Sequence, residues 1–574
     1  MPSPHALDRR AFMAYFSGLG LGGTLFPGVL WARLQDAQTI TADLLDEAEK
    51  VAGLEFTEEE RELMVQSLNR NLEGFKQLRA IAIPNQVRPA LSFDPAVPMA
   101  ALPRERRPLV ASRPARVRRP ANLEAIAFRP VTELAELVRT RQVTATELTQ
   151  MYLARLKRHG PTLECVIELT EARALRQAAE ADAEITAGRY RGPLHGIPWG
   201  AKDLLAVRDY RTTWGAKPYE DQRLDDEATV VQRLDAAGAV LVAKLTLGAL
   251  AMGDVWYGGT TKNPWNLEQG SSGSSAGSAA ATVAGLLGFA IGSETLGSIV
   301  SPATRCGASA LRPTFGWVSR AGAMALSWSM DKLGPLCRTV EDCALVMDAI
   351  HGPDGKDPTV RDAAFNWDGT AGIAGIRVGY LASAFDRDRG DNGAEWGAFD
   401  RQALDTMRRL APAMVTVELP DEDAYPPSAM GFILGVEAAA AFDELTRSNR
   451  DDLLVRQGRG AWPNSFRASH FVPAVEYVNA NRLRTLLMRA MDEALAEVDV
   501  VITPSYAPRL LQYTNLTGHP AVVVPNGFRA EDGTPTSISF IGHLFGDAKV
   551  LAVAKAWQDT TDFHTRHPGA FAAG

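Results

Sequence analysis

Apolar positions recur along this chain with two periods, and the period changes with place. Between residues 40 and 80 the spacing is helical: Thr57 and Glu60 form a capping box, and Leu63, Met64, Leu68, Leu72 and Phe75 then fall on one face. The same start signal returns at Thr144 and Glu147, ahead of an apolar face made by Leu148, Met151, Tyr152 and Leu156. Beyond it, short apolar runs alternate with helical stretches. Val166 to Leu169, Ala239 to Ala243, Phe289 to Ile291, Ile376 to Val378, Val498 to Ile502 and Ala521 to Val524 read as buried strands. This alternation predicts α/β layers around a mostly buried sheet. From about Asp386 to Glu497 the pattern is helical and carries no catalytic motif.

Between Pro95 and Pro130 both periods stop. Pro103, Pro108, Pro114 and Pro120 exclude regular helix, and Arg104, Arg106, Arg107, Arg116, Arg118 and Arg119 repel one another, so the stretch reads as an extended linker wrapping to a catalytic domain. The predicted organisation is a terminal segment over 1–35, a helical extension over 36–95, a Pro/Arg-rich linker over 96–127 and the catalytic domain over 128–574. The terminal segment opens Asp8-Arg9-Arg10-Ala11-Phe12-Met13 and continues apolar and glycine-rich to Ala32. It looks like a twin-arginine signal or anchor, which predicts an exported, periplasmic or membrane-anchored protein; read as a structural helix instead, it predicts a cytoplasmic one. The G-x-G-x-x-G within it, Gly18 to Gly23, follows no strand and is no dinucleotide site.

Composition narrows the classes. The chain has 574 residues, 46% hydrophobic and 22% charged, which suits a globular protein with one large core. A net charge of -8 gives no reason to expect a nucleic-acid surface. Cys165, Cys306, Cys337 and Cys343 are scattered, so they read as core thiols and not as a zinc site or disulfide framework.

The candidate chemistry lies in Gly270-Ser271-Ser272-Gly273-Ser274-Ser275-Ala276-Gly277-Ser278 and in Gly292-Ser293-Glu294-Thr295-Leu296-Gly297-Ser298. Small residues let the backbone turn sharply and approach a substrate, while hydroxyls become nucleophiles only beside a proton acceptor. Gly196-Ile197-Pro198-Trp199-Gly200-Ala201-Lys202-Asp203 supplies one: a lysine in an apolar run, which desolvation can make neutral near pH 7.

These three stretches together resemble the amidase signature family. The likeness continues through Thr260 to Asn266, Leu311 to Gly316, Gly334 to Asp342 and Thr517 to Phe528, so it covers about residues 128 to 570. It implies a three-layer α/β/α sandwich with a mixed central sheet, preceded here by the helical extension. It also implies a serine amidohydrolase with Lys202 as base, Ser274 as bridging serine in a cis peptide and Ser298 as nucleophile, at the edge of that sheet for Lys202. Thr295, Leu296, Gly297 and Ser275 are the oxyanion or substrate-binding candidates, with no metal and no cofactor. The expected partner is a small-molecule amide, an ester or carbamate also fitting; no nucleic acid is expected, a membrane only through an uncleaved N-terminus, and the oligomeric state is left open between monomer and homodimer.

Three positions depart from the family pattern: Leu296 where a glycine stands, Val300 in place of an arginine, and Ala276 for a loop glycine. The lost arginine leaves Glu294 without its expected support. Two rival readings arise. Ala52 to Glu60 faintly resembles the small helical subunit of tRNA-dependent amidotransferases, which suggests a glutaminase-like subunit of such a complex. The departures suggest a non-catalytic binding protein on an amidase scaffold. Ser329-Met330-Asp331-Lys332 fits S-x-x-K but lacks the K-T-G partner, and His564 and His567 lack a metalloprotease glutamate. Trp199, Trp256, Tyr257 and Trp328 near the motifs permit an aromatic acyl pocket.

Overall fold

The computed structural model describes residues 40–572 except 54, 80, 82–83, 86, 88–90, 97–101, 113–116 and 388–392. The Arg9-Arg10 segment lies outside the described residues. Among those described, no helix is long and apolar enough to cross a membrane.

Two helices, α1 (Ala42–Ala52) and α2 (Glu58–Arg79), belong to a small unit of their own. Thr41 caps α1 by accepting from Leu44 N, and Gly53 ends it at φ 67°. The Thr57–Glu60 capping box forms at α2: Glu60 Oε2 accepts from Thr57 N at 2.7 Å and Thr57 Oγ1 from Glu60 N at 3.3 Å. The apolar face is not as the spacing predicts, because Leu63 is 75% exposed while Leu68 and Leu72 are half-buried. Arg61 explains the rotation: it donates to Glu49 of α1 at 3.0 Å, so the first turn of α2 presents this arginine to α1 and Leu63 to solvent. The side chains of Met64 and Phe75 lie outside the described residues.

The second unit is built on an eleven-stranded mixed sheet. Its strands are β1 (Val166–Leu169), β2 (Pro198–Lys202), β3 (Val240–Leu245), β4 (Phe289–Glu294), β5 (Ser309–Arg312), β6 (Lys332–Cys337), β7 (Val378–Leu381), β8 (Val415–Val417), β9 (Val500–Pro504), β10 (Ala521–Phe528) and β11 (Pro535–Gly542). In space they run β1-β3-β2-β4-β6-β5-β10-β11-β9-β7-β8. β2 is parallel to both neighbours, β6 antiparallel to both of its own.

Helices cover both faces. On one, α3 (Ala145–Leu163), α4 (Ala276–Val283) and α5 (Val300–Cys306) bury Leu153, Leu156, Ala279, Ala280 and Ala303 in one apolar cluster. On the other, residues 131–139, 340–350 and 547–558 bury Leu134, Val346 and Leu551 in a second. Fully burying one leucine or valine side chain contributes about 1.5–3 kcal/mol, so these two clusters hold the three layers together. Two more helices, α6 (Ser428–Ala441) and α7 (Ala474–Leu495), pack on each other, and α8 (Leu510–Thr517) leads into β10.

Lys202 does not sit at the edge of the sheet, as the sequence suggested. It ends β2, an interior strand, because a glycine at 200 lets the neighbouring side chains close over the strand: a Cβ there would lie 2.4 Å from Leu245 Cδ1 and 2.7 Å from Leu287 Cδ2. β5, β6 and β11 are strands that hydrophobic runs do not reveal, since they carry Arg312, Lys332, Ser537 and Ser539 at buried positions. The run Ile376 to Val378 becomes a strand only from Val378, where Arg377 and Asp499 bond each other's backbone ahead of the β7–β9 pairing.

Candidate active site

The Lys202 side chain is completely closed to solvent. Its Nζ lies 2.8 Å from Ser274 Oγ, 3.0 Å from Ser275 Oγ and 2.9 Å from Ser293 Oγ. These are neutral oxygens, so nothing adjacent offsets the cost of a buried charge. Burial therefore drives the Lys202 ammonium well below the ordinary lysine range, with the Asp331 and Glu294 carboxylates pulling weakly the other way.

The serines are delivered by two loops that bond each other. The Gly273–Ser274 peptide is cis, and Ser275 then stands at the N-terminal cap position of α4. Ser275 N donates to Ser298 O at 3.1 Å, which ties the first loop to the second. Ser298 itself is 7% exposed, in the turn between β4 and α5. Gly292 makes the approach feasible: a Cβ at that position would lie 2.6 Å from Ser275 Oγ. Ser275 also accepts from Ser293 N and donates to Ser293 O, so the structure joins it to Lys202 and β4. The N–H groups of Leu296, Gly297 and Ser298 have no acceptor among the described residues. Such free donors beside a hydroxyl can receive a developing oxyanion.

Glu294 braces this turn. Its Oε2 accepts from Ile299 N at 2.8 Å and Val300 N at 2.9 Å, while Oε1 accepts from Arg312 Nη1 at 2.9 Å and Asn515 Nδ2 at 2.8 Å. Burial works to raise this carboxyl, but the Arg312 guanidinium outweighs it and holds the value at about 2. The arginine missing at Val300 is thus replaced from β5, and Arg312 is itself fixed by donating to His519 O. Asn515 stands on α8, whose Leu511 also packs against Gly297.

Further supports surround the lysine. Asp203 forms a fully buried ion pair with Lys244 at 2.8 Å and accepts from Thr213 N and Oγ1. Burial pushes the Asp203 carboxyl up, against the pull of Lys244. Thr295 Oγ1 donates to Asp331 Oδ1 at 2.6 Å.

Other sequence candidates lie apart from this cluster. Ser329 Oγ donates to Glu437 and receives from Arg484, and Lys332 Nζ bonds Met330 O, so the S-x-x-K residues are not paired. Cys306 is buried, its thiol pushed up by that burial, and it bonds Ser271 O; all four cysteines are free. Trp199 is core, stacked on Phe289 at 6.0 Å. Trp328 and Asp331 line a cavity of about 250 Å³ with Met324 and Arg320. Ser293, Arg312, Asn515 and Asp331 were not singled out by sequence reasoning; only the missing arginine at 300 signalled that Glu294 needed another partner.

A family model described as Amidase matches residues 147–514. The chain is 33% identical over 484 residues to the A subunit of the glutamyl-tRNA(Gln) amidotransferase of Roseiflexus castenholzii, covering 76% of this chain and 97% of that one. Among solved structures it is similar to the native peptide amidase of Stenotrophomonas maltophilia, at 30% identity and TM-score 0.67, over 78% of this chain and all of that one. It is also similar to a chain from a vestigial protein complex bearing on the origins of an s-triazine catabolic enzyme, at 28% identity and TM-score 0.69, over 75% and 98%. These relatives correct one expectation. The amidotransferase relative is named as a subunit of an enzyme for glutamyl-tRNA(Gln), and this likeness overturns the exported, periplasmic or membrane-anchored placement inferred from Arg9-Arg10.

Proposed function

This chain belongs to the amidase signature family, and on that premise we propose that it cleaves carboxylic amides through an acyl-enzyme on Ser298. The observation that carries the proposal is the 2.8 Å contact between the buried Lys202 Nζ and Ser274 Oγ. Amides resist hydrolysis because resonance weakens the carbonyl as an electrophile and amines leave poorly. Neutral Lys202 takes the proton of Ser274 as Ser274 takes that of Ser298, whose oxygen attacks the carbonyl. The N–H groups of Thr295, Leu296, Gly297 and Ser298 receive the oxyanion; one such donor is worth about 3 kcal/mol of barrier. Ser274 returns a proton to the leaving nitrogen, the C–N bond breaks, and water then releases the acid by the same relay.

Two settings suit this chemistry. Likeness to the amidotransferase protein along 97% of its length supports a glutaminase-like subunit working in a tRNA-dependent amidotransferase complex. In that setting the acidic balance of the chain does not exclude tRNA, because a second protein in the complex can carry the nucleic-acid contacts. The peptide amidase among the structural neighbours supports a second reading, a hydrolase acting alone on a small linear amide. A binding protein without catalysis is disfavoured by the joint retention of Lys202, Ser274 and Ser298.

The test pairs wild type with Ser298→Ala on chromogenic anilides and esters, on glutamine, and with a fluorophosphonate probe. Turnover and labelling present in wild type and absent from a folded Ser298→Ala support the nucleophile; equal rates in both reject it. Copurification with tRNA and a second protein selects the first setting, and amide hydrolysis by the isolated chain selects the second.

A further inference from the structure

A segment lying before the residues matched by the family model reaches the loop that carries Asp331. Asn85 Oδ1 accepts from Ala325 N at 2.8 Å, and Asn85 Nδ2 donates to Ala325 O at 3.0 Å. This two-way bond satisfies both backbone groups of Ala325, as a neighbouring strand would. A second contact is made by Phe93, whose ring lies 3.6 Å from the Arg484 guanidinium. That guanidinium, closed to solvent, donates to Ser329 Oγ and Ser329 O, both at 2.8 Å.

Both contacts converge on one short loop, residues 325–331. Inside it, Asp331 Oδ2 accepts from Leu326 N at 2.8 Å and Ser327 N at 3.0 Å. Glu437 of α6 holds the far side through Ser327 Oγ and Ser329 N. The same Asp331 carboxylate, through Oδ1, holds Thr295 one residue before Leu296 and three before Ser298. A carboxylate can serve the loop and Thr295 together only while the loop keeps its shape.

We propose that Asn85 and Phe93 are positioning residues for the oxyanion turn, acting through the 325–331 loop and the Asp331–Thr295 bond. The inference rests on the acyl-enzyme reading above. Further along the chain, residues 103–112 are held apart from the site: Ala364 N donates to Pro103 O, Asn366 bonds Glu105 and Arg107, Val110 exchanges backbone bonds with Trp367 and Gly369, and Ser112 bonds Glu341.

The experiment uses the full chain, with Asn85→Ala, Phe93→Ala and Asn85→Ala combined with Thr295→Val. Hydrolysis of p-nitrophenyl butyrate, fluorophosphonate labelling, melting temperature and backbone hydrogen exchange are measured together. Asn85→Ala is expected to lower kcat and the labelling rate by about tenfold, because small misplacements of reacting groups are costly, with KM within about twofold. Exchange should quicken in both 325–331 and 294–300. On the Thr295→Val background Asn85→Ala should cost nothing more. The acid limb of kcat/KM against pH should stay where it is, since Lys202 keeps its contacts. Loosening confined to 325–331, or additive losses in the double variant, overturns the proposal. Should wild type itself neither turn over nor label, the acyl-enzyme reading fails, and hydrogen exchange alone still decides whether Asn85 holds the turn.

Discussion

Arg312 Nη1 lies 2.9 Å from Glu294 Oε1, and both side chains are closed to solvent. Removing one member of such a pair strands the other. Arg312→Met is expected to destabilise the protein by about 3–5 kcal/mol in urea denaturation. The sign of the pH dependence is set by the same pair. Glu294 is depressed from 4.5 to about 2, so its contribution is complete above 4.5 and is lost as pH falls toward 2. The variant should therefore show a flatter acid limb of stability than wild type; parallel limbs would mean that Arg312 is not what holds Glu294 down.

With Lys202 as the proposed base, its titration is expected to set the pH dependence of turnover. Its folded value is lowered well below 10.5, so the neutral amine gains population at a lower pH than an exposed lysine does, and its fraction grows as pH rises. kcat/KM for an anilide should climb with pH to a plateau reached well before 10.5. Lys202→Ala should remove the limb and lower the rate by about 10²–10⁴. A limb that persists unchanged in the variant would assign it to another group.

Asp203 and Lys244 make a test of stability apart from chemistry. Asp203→Asn leaves Lys244 buried beside a neutral amide and should cost about 3 kcal/mol or more. Thr213→Val, which removes only a hydroxyl bonded to the same carboxylate, should cost about 1 kcal/mol. Thermal melts of both variants would rank them, and the reverse order would contradict the ion pair as the main support.

Leu296 is 41% exposed, whereas Thr295 and Ser298 on either side of Leu296-Gly297 are almost hidden. If the turn receives the oxyanion as proposed, an apolar side chain there is placed to meet the group that flanks the scissile carbonyl. Leu296→Gly is expected to raise KM roughly tenfold for apolar acyl esters while leaving short ones little changed. A uniform change across acyl lengths would point to damage to the turn and not to a lost contact.

Much of this was legible in the sequence, and the gaps have physical causes. Capping boxes depend on neighbours in sequence, and Thr57–Glu60 and Thr144–Glu147 form as read. β3 and β10 announce themselves because each holds a fully buried apolar run, Val240 to Ala243 and Ala521 to Val524, as a strand covered on both faces does. β6 does not, since Lys332 begins it and Gly334 and Pro335 interrupt it. Arg312 and Asn515 could not be matched to Glu294, because their partnership exists only after β5 and α8 converge. Leu63 misleads for a related reason: periodicity marks a face, and the Glu49–Arg61 bond decides where that face turns.

The Asn515–Glu294 bond and the Asn85–Ala325 bond span long stretches of chain, 221 and 240 residues. Contacts this distant form late, after the intervening chain has folded. A growing polypeptide carries Lys202, Ser274 and Ser298 well before α8 has been made, yet Glu294 then lacks Asn515. Synthesis thus separates possessing the proposed reactive groups from having them braced, and a fragment released before Asn515 is added should be inert although every proposed catalytic side chain is present.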